Sequence, residues 1–211
     1  GSYESFNDPE EDISTEITHL TGIDNKMVDG KFIDWNEVDD LFQGVDIIIA
    51  HNASFDRAFI DRFSSNSPSK IWACSISDID WLERGFTSSK QELLCYWHGF
   101  YFDAHRAMND VDALIHLLTF DTGLERPLLE LIKNSNKSEF VIYAEHFKYD
   151  PVKKDILKGN KYRWNPNDKI WFKKVNLDEL EHEKDWLTAT IYDQVFKGRV
   201  EEIIPSNKYK L

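Results

Sequence analysis

The sequence predicts an α/β domain followed by a smaller α+β module, and three observations carry that expectation. The first is a β-branched block, Val45 to Ala50, set between two segments with apolar residues at helical spacing. Helix, strand, helix is an α/β pattern. The second is another apolar block, Ile71 to Cys74, which reads as a second buried strand. The third is Ser135-Asn136-Lys137-Ser138, the best linker in the chain, after which the pattern restarts as strand, helix, hairpin and helix. The boundaries that follow are 3–134 for the first domain and 139–211 for the module.

Taken in order, Ile33, Val38, Leu41 and Phe42 are spaced for a short helix closed by Gly44. Val45 to Ala50 then reads as a fully buried strand. A helix follows from about 54 to 64, with Phe55, Ala58, Phe59 and Phe63 as its apolar face. After the strand at 71–74, "SKQELLCYWHGF" reads as a helix with Leu93, Leu94 and Trp97 on one side, and "NDVDALIHLLTF" as another. Leu128 to Ile132 continues helically. In the module, "EFVIYAEHF" is a strand and "PVKKDILKG" a helix that starts at Pro151 and ends at Gly159. "YRWNPNDKIWFKKV" is a hairpin turning at Asn165 to Asp168, and "LDELEHEKDWLTATIYDQVF" a closing helix.

Composition sets the class. The chain has 211 residues, 41% of them hydrophobic and 14% aromatic, enough to fill a core. Cys74 and Cys95 lack metal-ligand spacing and sit among apolar neighbours, which predicts buried free thiols in a reducing compartment. No apolar run approaches membrane-spanning length, so a cytoplasmic protein without membrane contact is expected. The formal net charge of −13 excludes broad phosphate-backbone binding, yet it is unevenly spread. Residues 1–63 hold 15 acidic against 4 basic side chains, whereas residues 148–175 hold nine Lys or Arg against three Asp. That basic stretch also carries Tyr149, Tyr162, Trp164, Trp171 and Phe172. Cations mixed with flat rings are what single-stranded nucleic-acid binders use, and the same rings serve equally as the core of a small module. As a nucleic-acid grip the stretch offers Tyr162, Trp171, Lys173 and Lys174, with exposure of Tyr162 or Trp171 expected.

Two stretches carry chemistry. In "IIIAHNASFDRAFIDRF" a carboxylate, Asp56, sits just past the end of a strand, the edge at which open α/β sheets bind ligands. In "HRAMND" His105 lies in an approach loop and Asp110 in the first turn of a helix, so both can face one space. Phosphodiester hydrolysis needs carboxylates gathered around divalent metals, which lower the pKa of an attacking water, and a base near neutral pH to take its proton.

These stretches together resemble the DnaQ-like 3′–5′ exonucleases of the DEDDh type. "HNASFD" resembles that family's second exonuclease motif and "HRAMND" its third. "ISTEITHLTGI", "WACSISDIDW", "SSKQELL" and "LKGNKYRWNPNDKIWFKKV" resemble further segments of a bacterial subgroup with a C-terminal extension, so the likeness spans nearly the whole chain. The resemblance implies a ribonuclease H-like fold, two Mg²⁺ or Mn²⁺ ions, and hydrolysis at a DNA or RNA 3′ end with release of nucleoside 5′-monophosphates. Asp56 and Asp110 would be metal ligands, His105 the general base, and Asn52 a supporting hydrogen-bonding residue. A single-stranded DNA or RNA 3′ end is the implied partner, with a DNA polymerase or another replication or repair protein as a second. The family's first motif, Asp-x-Glu on the first strand, does not stand ahead of "YESFNDPEEDIS". Weak metal binding and impaired activity are therefore expected of this chain by itself. A catalytically inactive nucleic-acid-binding or polymerase-associated module is the other class of function that the sequence admits.

Overall fold

The computed structural model describes residues 1–104, 106–120, 123, 125–192 and 194–210. The chain forms two compact units, Gly1–Ser135 with Tyr209–Leu211, and Asn136–Lys208. The second is thus a continuous stretch whose chain leaves the first unit and returns to it.

The first unit opens with α1 (Thr15–Thr21), α2 (Asn25–Val28) and α3 (Trp35–Gln43), then β1 (Ile47–Ala50), α4 (Ala53–Ile60) and β2 (Ile71–Cys74). Helices α5 (Gln91–Trp97), α6 (Ala107–Thr119) and α7 (Pro127–Ser135) complete it. Side-chain caps start the early helices: Ser14 accepts from the Ile17 N–H, and Asp34 from the Asn36 and Glu37 N–H groups. Gly22 ends α1 with φ 67°, and a Cβ there would stand 2.8 Å from the Arg106 guanidinium, so both backbone and space call for glycine. β1 and β2 pair in parallel, Ile47 opposite Ile71 and Ala50 opposite Cys74. Alternation sends their side chains both ways. Ile47, Ile49 and Ala73 join Trp81, Leu94, Leu117 and Leu131 in one core, while Ile48, Ala50, Trp72 and Cys74 join Ala53, Ile60 and Tyr209 in another. Cys74 and Cys95 are buried free thiols.

The strand at 45–50 is shorter and more exposed than its sequence predicts. Every residue of β1 is only half-buried, because β2 is its one strand neighbour among the described residues. The helix expected at 54–64 ends at Ile60, and its faces are reversed. Phe55, Phe59 and Phe63 are 61%, 51% and 59% exposed, while Ala53 and Arg57 are buried. On α5 the buried pair is Leu94 and Cys95, with Leu93 and Trp97 turned to solvent.

The second unit contains β3 (Glu139–Ala144), α8 (Pro151–Gly159), β4 (Arg163–Asn165), β5 (Ile170–Asn176), α9 (Leu177–Thr190) and β6 (Arg199–Ile203). The sheet runs β4-β5-β3-β6 with every pair antiparallel. Asp150 caps α8 by accepting from the Val152 N–H, and Pro151 occupies the first turn. The β4–β5 turn is held by Asn165, whose side-chain oxygen accepts from the Asn167 N–H at 3.0 Å. One sheet face carries Ile142, Ala144, Trp171 and Val175 into a core with Leu157, Leu180 and Leu187 of the two helices. Tyr162 and Trp171 belong to this core at 4% and 9% exposure, contrary to the exposure expected of them. The exposed indole is Trp164, at the edge strand. Lys173 also points to the helices, where its ammonium lies 2.6 Å from the buried Glu183 carboxylate. Lys174 points the other way and is 57% exposed. No helix among the described residues is long and apolar enough to cross a membrane.

Candidate active site

The site is best built from the mouth of β1 outward. His51 and Asn52 form the turn between β1 and α4, and Asn52 adopts φ 70°, ψ 53°. Asparagine tolerates this left-handed conformation better than most residues, and it lets the strand turn directly into the helix. The Asn52 side chain is exposed, and its oxygen accepts from the Ser54 hydroxyl at 3.5 Å. Asp56 follows in the first turn of α4, near the positive end of the helix dipole. Burial nevertheless dominates, and pushes the Asp56 carboxyl up to about 6. A carboxylate with that desolvation penalty gains from any cation that approaches it.

Beneath the turn lies a network that the sequence did not reveal. Arg57 is fully buried; its Nε donates to Asp61 at 2.9 Å and its guanidinium also donates to the Pro68 carbonyl at 3.3 Å. The Ser67 hydroxyl donates to Asp61 at 2.5 Å and accepts from the Trp72 indole N–H at 3.2 Å. This chain ties α4 to β2 and fixes the helix that carries Asp56. Asp61 is a structural residue accordingly. His51 sits beside Ser75 at the end of β2, with Nδ1 2.7 Å from the hydroxyl oxygen, and burial lowers its pKa toward the neutral imidazole. The only signal for His51 was its place in "HNASFD".

Asp110 lies in the first turn of α6, and its carbonyl accepts from the Gln91 side chain of α5 at 2.6 Å. Its charge reaches Cys95: burial first, then the Asp110 and Glu92 carboxylates, push that thiol up to about 12. Arg106 reaches back to the Gly22 carbonyl at 3.4 Å, and Asn109 donates to the Asp103 carbonyl at 2.9 Å, so the approach to α6 is braced from both sides. His105 lies outside the described residues.

Asp56 and Asp110 thus occupy first helical turns, one on α4 packed against β1 and β2, the other on α6 packed between α5 and α7. Among the described residues no group of three or more His, Cys, Asp or Glu is placed to hold a metal ion. The two aspartates alone fall short of the oxygen set that Mg²⁺ or Mn²⁺ requires. Nor do the N-terminal acids fill the gap: the Asp8 carboxylate is spent on the Glu10 and Gly30 N–H groups, at 2.9 and 3.1 Å, which hold its pKa down.

A protein-family model for exonucleases, RNase T, matches residues 1–118. The chain belongs to this exonuclease family. No curated protein and no solved structure matches it. The matched region contains β1, β2 and both aspartate-bearing helix starts, so the strand-mouth position of Asp56 belongs to a nuclease domain. Families of this kind hydrolyse nucleic acids and typically use divalent metals. In this exonuclease the second unit lies beyond the matched residues.

Proposed function

We propose that the chain is the larger part of a 3′–5′ exonuclease of the DEDDh type, acting on single-stranded DNA or RNA 3′ ends. The observation that carries this reading is Asp56 at the carboxyl end of a parallel strand, desolvated enough to raise its pKa to about 6. Asp56 and Asp110 are the metal ligands contributed by these residues, His105 is the general base, and Asn52 shapes the turn that aims Asp56. Two divalent ions would supply a lowered pKa for the attacking water and charge for the developing phosphorane. The remaining carboxylates come from an Asp-x-Glu strand added along the open edge of β1. The half-exposed Ile47–Ala50 segment supports that position, since parallel sheets are normally buried on both faces and extend beyond two strands.

The test is cleavage of a 3′-labelled single strand in Mn²⁺, with an Asp-x-Glu strand supplied ahead of Tyr3. Nucleoside 5′-monophosphate release that disappears in Asp56→Asn is the expected result. Release from the 5′ end, or equal release by Asp56→Asn, would sink the assignment. A second reading is a nucleic-acid-binding or polymerase-associated module without catalysis. The lack of a three-donor cluster among the described residues favours it, and single-strand binding with no cleavage in the completed chain would establish it.

A further inference from the structure

The second unit presents a sheet face that its helices leave uncovered, and the register brings one residue from each strand into a row across it. Phe172 of β5 pairs with Arg163 of β4 on one side and with Tyr143 of β3 on the other, and Tyr143 pairs with Arg199 of β6. The row reads Arg163, Phe172, Tyr143, Arg199, and spans about 14 Å at the usual strand spacing. All four lie opposite the face that meets α8 and α9, because their strand neighbours Trp164, Trp171, Ile142 and Val200 have the other parity. Phe172 and Tyr143 are half-buried, and neither belongs to the helix-side core.

We propose that this row is a single-stranded nucleic-acid platform, with Phe172 and Tyr143 stacking bases and Arg163 and Arg199 meeting phosphates. The inference rests on reading the chain as a nuclease and assigns the strand-holding surface which that reading leaves open. Two flat rings side by side, closed at each end by a guanidinium, suit a chain that alternates π-faces with anions. Arg199 already stacks its guanidinium 3.8 Å from the Tyr143 ring centroid, the geometry it would keep beside a base. Lys174, on the same face one row along, adds a further cation. The carboxylates on this face do not stand alone. Glu139 is met by Lys174 and Lys208 at 3.5 Å each, and Glu201 by Arg199 at 3.2 Å and by the Tyr143 hydroxyl at 3.1 Å. The +6 stretch at 148–175 surrounds the platform with positive potential, although the molecule as a whole is acidic.

The experiment is fluorescence anisotropy of the full chain with labelled oligo(dT) and oligo(rU), in EDTA, at low and high salt. Phe172→Leu keeps an apolar side chain and removes the ring, and should weaken binding roughly 5- to 100-fold. Arg163→Ala, at an exposed position, should reduce the slope of log affinity against log salt by about 0.7. Trp164→Ala, on the opposite face, should leave affinity within about twofold. The dT and rU arms show which strand is preferred, and either preference supports the platform. Unchanged affinity in both Phe172→Leu and Arg163→Ala, loss confined to Trp164→Ala, or no binding of either strand at low salt would overturn it. Because EDTA removes the metals, these outcomes are independent of cleavage, which is the readout of the nuclease reading.

Discussion

At the scale of single residues, Asp56 makes the sharpest prediction. Its folded-state pKa is raised from 3.8 to about 6 by burial, so the folded protein holds that proton more tightly than the unfolded chain does. The contribution is therefore most favourable below about pH 4 and is lost as pH rises toward 6. After allowance for partial solvent screening it is on the order of 1–2 kcal/mol. Asp56→Asn should stabilise the chain by that amount at pH 7 and leave it unchanged near pH 4, as read by urea denaturation at the two pH values. Equal stability of the two proteins at pH 7 would show that the carboxylate is well solvated. In the second unit, Lys173→Ala strands Glu183, which is 5% exposed and keeps only the Asn160 amide at 2.8 Å. The expected loss is about 3 kcal/mol or more, seen as a lower denaturation midpoint. Asp56 was legible in the sequence because a carboxylate just past a strand end is a positional signal. Arg57 was not, because a buried arginine looks like any helix-surface arginine until Asp61, Pro68 and Trp72 are placed around it.

At the scale of elements, α4 shows where periodicity misleads. Phe55, Phe59 and Phe63 recur every fourth residue and read as a core stripe, yet the space over β1 and β2 is narrow and is filled by Ala53, Ile60 and the aliphatic part of Arg57. The aromatic stripe faces water, with Phe55 and Phe59 stacked 5.2 Å apart and Trp35 against Phe63 at 5.0 Å. Phe59→Ser should therefore cost little stability, within about 1 kcal/mol. Arg57→Ala should cost about 3–5 kcal/mol, because Asp61 loses its cation beneath the helix. A thermal melt of both variants checks the pair, and the reverse order would restore the sequence-based orientation. Strand β2 and helix α8 were readable to the residue, since an apolar block bounded by Lys70 and Ser75, and a Pro-to-Gly frame, fix their limits. Strand β6 was missed because Arg199-Val200-Glu201-Glu202-Ile203 offers just two apolar residues, and its place comes from pairing with β3.

At the scale of the whole molecule, the chain is two cores of different make: a parallel strand pair between helices, and an antiparallel sheet backed by α8 and α9. The change of pattern at residues 135–138 announced the first crossing between them. The second crossing, near residue 208, had no sequence signal, since Lys208-Tyr209-Lys210 carries no apolar period. Tyr209 packs beside Ala53, Trp72 and Cys74, so the first unit grips the chain on both sides of the second. That grip acts on the unfolded state. When Asn136–Lys208 melts while the first unit stays folded, its two ends remain pinned and the disordered segment is a closed ring instead of a free tail. Confining some seventy residues in this way removes roughly 4 kcal/mol of chain entropy from the molten form. Ending the chain after Lys208 opens the ring while keeping the Lys208–Glu139 pair. The second unit should then melt at a lower temperature in calorimetry although every bond within it is retained. An unchanged melting temperature would mean that Tyr209 lets go before the sheet does.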